Sequence, residues 1–316
     1  MIYTVTLNPA LDRELTVPEI RFNDVLRATV VRIDFGGKGF NVSRALHALG
    51  GESVALGFVG GGTGARIARG LAGLGIRTDF VEIADETRTN VSIVSERLPQ
   101  HIKVNEAGPV ISPEEGAALL SKVASLAQAG DWWVLSGSLP HGLPPTFYAE
   151  IIECVQRAGG RAVLDTSGEP LKRACEVRPY LVKPNAFEAT ELTGIPVTSP
   201  EDSQAAVAAI HALGVAHVYM SFGKAGALLS DGHACWVGAA PVITERNPIG
   251  AGDSAVAGVM WGLSHDLPLP EVLRWGIACG TAAASLPGTT MGDLALVSSF
   301  LDRVVVRRLE AGAGLD

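Results

Sequence analysis

Apolar and polar positions follow two regimes along the chain. Residues 2–8 alternate as a strand ending at Asn8-Pro9, and Pro9 to Asp12 reads as a turn. Two further β-rich stretches, 14–20 and 26–34, place charges between apolar residues, as a sheet with one wet face does. A helix over about 42–49 closes at Gly50 as its C′ residue. Strand 53–59, helix 63–74 and a short strand 79–83 follow. Alternation returns over 90–96 and 101–105, joined by a loop with Pro99. Together with 14–34 these segments predict a four-stranded sheet standing off the main body, as a lid or a dimer surface.

From residue 113 the pattern becomes regular α/β alternation, which predicts a parallel sheet. Ser112-Pro113-Glu114-Glu115 opens an amphipathic helix over 113–129, with Ser112 as cap. Strands are expected at 132–135, 162–165, 180–183 and 217–220, with a helix near 145–157. Each strand ends in small or polar residues. Ligands bind at the carboxyl ends of such strands, which draws Ser136, Ser138, Asp165, Asn185 and Ser221 toward one edge. Each alone also reads as a cap or turn residue. Residues 227–230 and 234–237 suggest a hairpin around Asp231-Gly232, and 254–263 and 269–285 suggest helices. The second is rich in small side chains, among them Ala278, Cys279, Gly280 and Ala283, which permit close packing against another helix or a flat ring. The last residues, 311–316, read as frayed.

A chain of 316 residues with 47% hydrophobic content can hold one large α/β domain with an added subdomain, or two domains. The net charge is −8, yet residues 1–110 carry 12 basic and 12 acidic side chains. An acidic chain with no basic run argues against nucleic acid. The neutral first third is the better place for an anionic small substrate. Cys154, Cys175, Cys235 and Cys279 form no C-x-x-C pair and read as reduced thiols of a cytoplasmic protein. No secretory signal is visible, and no apolar run reaches the length of a membrane helix.

The candidate chemistry centres on residues 246–258. Pro248 excludes a helix through its own position, Gly250-Ala251-Gly252 gives a permissive turn, and Asp253 opens an apolar run. Free backbone N–H groups and the helix dipole make such a turn an anion site. Asp253 beside it can take a proton from a hydroxyl. An anion hole and a base within four residues suggest phosphoryl transfer to an alcohol; a capped Gly-rich helix start is the plainer alternative. Gly36-Gly37-Lys38-Gly39 lets backbone approach a ligand and adds a cation. It is no Walker A loop, since Arg32 and Gly39 stand where that motif needs Gly and Ser/Thr. Gly60 to Ala65 satisfies the loose G-x-G-x-x-A dinucleotide fingerprint with Glu82 beyond it, although a plain turn fits as well. Asn185 and Glu188 have capping-box spacing, and Glu188 equally suits a magnesium held through water.

Three segments together carry a resemblance. Gly36 to Ser43 resembles the N-terminal signature of the ribokinase-like (PfkB) carbohydrate kinases, Asn247 to Asp253 their C-terminal signature, and Asn185 to Glu188 their N-x-x-E motif. The opening Thr6 to Asp12, Lys38, Thr87 to Asn90 and Leu135 to Pro140 are similar to the phosphosugar branch of that family. The resemblance implies a three-layer α/β/α fold with a mainly parallel central sheet. It places residues 1–12, 36–87 and 106–316 in the core, and 13–35 and 88–105 in a small β-sheet lid, which in this branch often pairs two subunits. It implies a kinase using ATP and Mg2+ on a ketohexose monophosphate, fructose 1-phosphate first and tagatose 6-phosphate second. In this reading Asp253 is the base, and Gly250, Ala251 and Gly252 form the anion hole. Asp12, Asn41 and Gly37 meet the sugar. Lys38, Arg88, Arg27 and Ser138 hold the phosphate it already carries. Lys183, Asn185, Ser221, Gly223 and Gly226 lie along ATP, with Asn247, Cys279, Gly280 and Ala283 near the adenine, and Glu188 orients the metal. Rival readings are a sugar-phosphate sensor without turnover and a dehydrogenase using residues 60–65.

Overall fold

The computed structural model describes residues 1–98, 100–200 and 202–309. Pro99 and residues 311–316, for which the pattern suggested a loop and a frayed end, lie outside the described residues.

The chain begins with strand β1 (Ile2–Thr6), runs through β2 (Ala10–Val17) and β3 (Val30–Gly36), and returns through helix α1 (Lys38–Ala48) to β4 (Val54–Gly60) and α2 (Gly61–Gly73). Short strands β5 (Arg77–Thr78) and β6 (Val81–Ile83) precede β7 (Arg88–Ser95) and β8 (His101–Asn105). Alternation then sets in with α3 (Pro113–Leu126), β9 (Trp132–Ser136), α4 (Phe147–Arg157), β10 (Arg161–Asp165), α5 (Gly168–Glu176), β11 (Leu181–Val182), α6 (Ala186–Thr193), α7 (Gln204–Ala212) and β12 (His217–Ser221). The hairpin β13 (Ala227–Ser230) and β14 (Cys235–Ala239) leads to α8 (Ala251–Ser264), α9 (Leu269–Ala284), α10 (Leu294–Leu301) and β15 (Val305–Leu309).

The main sheet has the order β15-β14-β13-β12-β11-β10-β9-β1-β4-β5, with β6 beside β4. Its strands run parallel from β5 to β12 and antiparallel beyond. Both faces are covered. Trp133, Leu135, Ala162 and Leu164 pack under α3–α7, while the alternating Val134 and Val163 pack under α1, α8, α9 and α10. The strands therefore read as continuous apolar runs, and each fully buried Leu or Val contributes about 1.5–3 kcal/mol.

The four remaining strands form a second sheet in the order β3-β2-β7-β8. Phe35 on β3 closes over Gly70 of α2, beside a cluster of Leu11, Phe40, Ile67 and Leu71 that joins this sheet to the body. The expected strands 14–20 and 26–34 are displaced: β2 begins at Ala10 and ends before Pro18, which has no N–H for the ladder, and β3 starts only at Val30. Residues 10–12, expected as a turn, thus belong to the sheet. Helices α5, α7 and α10 and strand β15 lie where the hydrophobic pattern raised no expectation. All four are short, between 5 and 9 residues.

Candidate active site

Two helix starts build the centre. α1 begins at Lys38, four residues earlier than its apolar periodicity predicts. Gly37, at φ 140°, makes the entry turn, and a Cβ on Gly39 would lie 2.9 Å from the Val5 carbonyl oxygen, so the first turn rests directly on β1. The Phe40 N–H donates to Thr6 Oγ1 at 3.0 Å and fixes that seat. Lys38, Asn41 and Arg44 consequently share one helix face at three-residue spacing. α8 begins at Ala251 behind Gly250, whose φ of 83° only glycine adopts freely. The N–H groups of Gly250, Gly252 and Asp253 carry no hydrogen bond, whereas that of Ala251 turns back to Pro248 O at 3.2 Å. The N–H groups left open at this helix start are thus those of Gly250, Gly252 and Asp253, whereas that of Ala251, expected among them, is taken up.

Asp253 is buried in the first turn of α8. Burial, joined by the negative charge of Asp165, pushes its pKa up to about 7. The Asn41 amide opposes that shift by donating from Nδ2 to Asp253 Oδ2 at 2.8 Å, and Lys38 and Lys183 oppose it by charge. Asp165, at the end of β10 and 1% exposed, accepts from Lys38 Nζ at 3.3 Å and pairs with Lys183 Nζ at 3.2 Å. Burial works against the Lys38 ammonium, yet Asp165, Asp253 and Glu188 hold its pKa above the ordinary lysine value. Lys183 Nζ also borders the anion hole, 4.0 Å from where a Cβ on Gly252 would stand. Two cations and one buried carboxylate thus surround the α8 N-terminus, an arrangement able to stabilise negative charge there.

The small sheet supplies a polar wall. Asn90 Nδ2 donates to Asp12 Oδ1 at 2.8 Å, and burial raises the Asp12 pKa against that bond. Asn8 donates to Ser138 Oγ at 3.4 Å. Asn8 Oδ1 and Asn90 Oδ1 are buried without a partner, so both stand as acceptors for a hydroxyl. Arg88 donates to the carbonyls of Asn8, Pro9 and Glu106, which leaves two of its five N–H groups. Arg27 does not join this group. It lies exposed in the loop between β2 and β3, because no strand forms there, and makes no hydrogen bond or ion pair.

On the other side of α8 a cavity of about 420 Å³ opens. Ser221, Gly223, Gly226 and Gly280, the residues expected beside a nucleotide, line it together with Ile243 and Ile277. Cys279 and Ala283 are buried but do not line it; Cys279 Sγ packs toward Gly258 of α8. The helical period places Gly276, Gly280 and Ala284 on the cavity face instead. Asn247 is also turned away. Its Nδ2 donates to Gly288 O at 2.9 Å and its Oδ1 accepts from the Ile249 N–H at 3.0 Å, so it braces the loop while neighbouring Pro248 faces the cavity. Lys183 is paired with Asp165 rather than lining this wall.

Asn185 and Glu188 form the capping box: Glu188 N–H donates to Asn185 Oδ1 and Asn185 N–H to Glu188 Oε2, each at 2.9 Å. Glu188 Oε1 has no hydrogen bond and remains available. No cluster of three His, Cys, Asp or Glu side chains that could hold a metal occurs among the described residues. At Gly60 to Ala65 the helix N-terminus is filled by the chain itself. Glu86 accepts from the Gly62 N–H at 3.2 Å and the Thr63 N–H at 2.6 Å, where a dinucleotide pyrophosphate would lie, and Glu82 is exposed on β6. The four cysteines are free. No helix among the described residues is long and apolar enough to cross a membrane.

Asp165 and Arg44 are the residues whose parts were not evident beforehand. Asp165 showed only its place at a strand end. Arg44 showed only its three-residue step from Asn41.

A helix N-terminus with a buried carboxylate, two cations and an adjoining cavity of about 420 Å³ fits a phosphotransferase acting on an alcohol. Residues 6–294 match the model of the pfkB family carbohydrate kinases, and the chain belongs to that family. Over 309 residues it is 39% identical to the 1-phosphofructokinase of Bacillus subtilis (strain 168), covering 98% of this chain and 100% of that one. It is 33% identical over 307 residues to the ATP-dependent 6-phosphofructokinase isozyme 2 of Escherichia coli (strain K12), covering 96% and 99%. The crystal structure of phosphofructokinase-2 from Escherichia coli in complex with potassium superposes with a TM-score of 0.91 at 32% identity, covering 96% of this chain and 98% of that one.

Proposed function

We propose that the chain transfers a phosphoryl group from ATP to the free primary hydroxyl of a ketohexose monophosphate, fructose 1-phosphate giving fructose 1,6-bisphosphate. The observation that carries this reading is Asp253 at the α8 N-terminus, between unpaired backbone N–H groups and the lysines Lys38 and Lys183. Asp253, ionised, accepts the hydroxyl proton as the oxygen attacks. The N–H groups of Gly250, Gly252 and Asp253, with Lys183, receive the charge on the transferred group. Asp12, Asn8 and Asn90 offer acceptors to the sugar hydroxyls. Lys38, Ser138 and the two spare N–H groups of Arg88 are the donors for the phosphate already on the sugar. The nucleotide fits the cavity walled by Ser221, Gly223, Gly226 and Gly280.

Magnesium suits the remaining donor set, one free Glu188 carboxylate oxygen reached through water. When bound, it would neutralise phosphate charge during transfer. The small sheet acts as a lid that keeps water from the transferred group, and its exposed Val31 and Val104, which share one face of the sheet, offer an apolar surface on which two lids would pair as a homodimer.

Tagatose 6-phosphate is the second candidate and fructose 6-phosphate the third, since each presents one phosphate and one primary hydroxyl at opposite ends. The 39% identity to a 1-phosphofructokinase, against 33% to a 6-phosphofructokinase, favours the first. A coupled ADP-release assay with magnesium and ATP, run on these three with fructose and ribose, tests the reading. The largest kcat/KM is expected for fructose 1-phosphate. Turnover of unphosphorylated sugars alone would refute the phosphate site.

A further inference from the structure

Asn41 holds the base, and its own orientation needs a cause. An amide can present either end to a carboxylate, and only its NH2 end can donate. Asn41 Oδ1 accepts from Arg44 Nη1 at 3.1 Å, which leaves Nδ2 for Asp253. The same guanidinium reaches two other parts of the fold. Nη2 lies 3.4 Å from Asp34 Oδ1 on β3 of the small sheet and donates to Thr289 O, in the loop after α9, at 3.1 Å. The Arg44 side chain is 13% exposed, and burial lowers its pKa against the charges of Asp34, Asp12 and Asp253.

We propose that Arg44 is a positioning residue: its guanidinium fork locks the Asn41 amide so that the NH2 end faces Asp253, and ties that lock to the lid strand β3 and the 286–292 loop. The lock acts on the base because a hydrogen bond to a carboxylate favours its charged form. The charged groups facing Asp253 are Lys38 on α1, Asp165 at the end of β10 and Lys183 after β11, with Arg44 itself behind Asn41. Of these, only Arg44 also touches the lid. When the lid shifts, Asp34 moves with it, so the orientation of Asn41 depends on how β3 lies. The kinetic part of this inference rests on the proposed kinase reading; the protonation of Asp253 does not.

The test is a carboxyl 13C NMR titration of Asp253, its signal identified by its loss in Asp253→Asn, in the whole protein and in Arg44→Lys, Arg44→Met and Asn41→Ala. Arg44→Lys keeps the charge and loses the fork. The Asp253 midpoint is expected to rise in Arg44→Lys and Arg44→Met by about one to two units, the scale of one hydrogen bond to a charged group. Arg44→Lys combined with Asn41→Ala is expected to titrate as Asn41→Ala does alone. With turnover established, kcat of Arg44→Lys is expected to fall about tenfold, with its acid limb displaced to higher pH. A wild-type midpoint in folded Arg44→Lys would overturn the proposal, since charge alone would then suffice. Additive shifts in the double variant would also overturn it. If no sugar phosphate is turned over, the proposed function fails, and the titration still decides whether the lock exists.

Discussion

Asn41 Nδ2 and Asp253 Oδ2 meet at 2.8 Å across 212 residues of sequence, joining the first turns of α1 and α8 into one site. Asp253 is caught between opposed effects. Burial and Asp165 favour its protonated form, while Asn41, Lys38 and Lys183 favour the carboxylate. The balance near 7 lies close to physiological pH, where a general base works best.

Activity should therefore fall as pH drops through that value, because a protonated Asp253 cannot take the hydroxyl proton. The kcat/KM profile is expected to show an acid limb centred near 7. Asp253→Asn should lower kcat by several orders of magnitude while ATP affinity stays within a few-fold, measured by turnover and by nucleotide titration.

The same shift predicts a stability trade. Between pH 4 and 7 the folded state holds a proton on Asp253 that the unfolded state has released, so wild-type stability declines as pH rises through this window. Asp253→Asn removes the decline. Its advantage should approach, at most, about 4 kcal/mol at pH 8 and vanish below pH 4, read from denaturant unfolding at both pH values.

Asp165→Asn breaks both lysine pairs and leaves Lys183 buried without its counter-charge. Stability should drop by about 3 kcal/mol. Because Asp165 also raises the Asp253 pKa, the acid limb of activity should move to lower pH. A limb that stays in place would mean that Asp165 does not act on the base.

A Cβ on Gly280 would lie 3.1 Å from the Ala251 carbonyl oxygen at the cavity wall. Gly280→Val should raise KM for ATP about tenfold, equivalent to 1.4 kcal/mol, and change KM for the sugar phosphate far less. Equal losses for both substrates would place the cavity on the wrong side of the reaction.

The Glu86 carboxylate already fills the N-terminus of α2. Titration with NADH should accordingly give no saturable fluorescence change.

Local chemistry made much of this legible in the chain alone. The strand periodicity, the Ser112 and Asn185 caps and the turn at Gly250 depend on neighbours within a few residues, so the α/β class, the parallel sheet and Asp253 as candidate base could be read from them, while the three-layer form came with the resemblance to the PfkB kinases. The capping box at Asn185 and Glu188, one of two readings their spacing allowed, is present. The tertiary structure decided what depends on contacts between distant segments. α1 starts at Lys38 because Thr6 on β1 accepts from the Phe40 N–H, a contact that periodicity cannot register. The face that α9 turns to the cavity was set by its packing on α8, which took Cys279 inward and left Gly280 at the wall. Asp165 holds two lysines because strand order brings the end of β10 beside α1 and β11. Sequence determines which groups exist and how each segment curls. Charge at Asp253 comes from groups 70 residues away at Lys183, 88 at Asp165 and 212 at Asn41, and only the folded chain sets their distances.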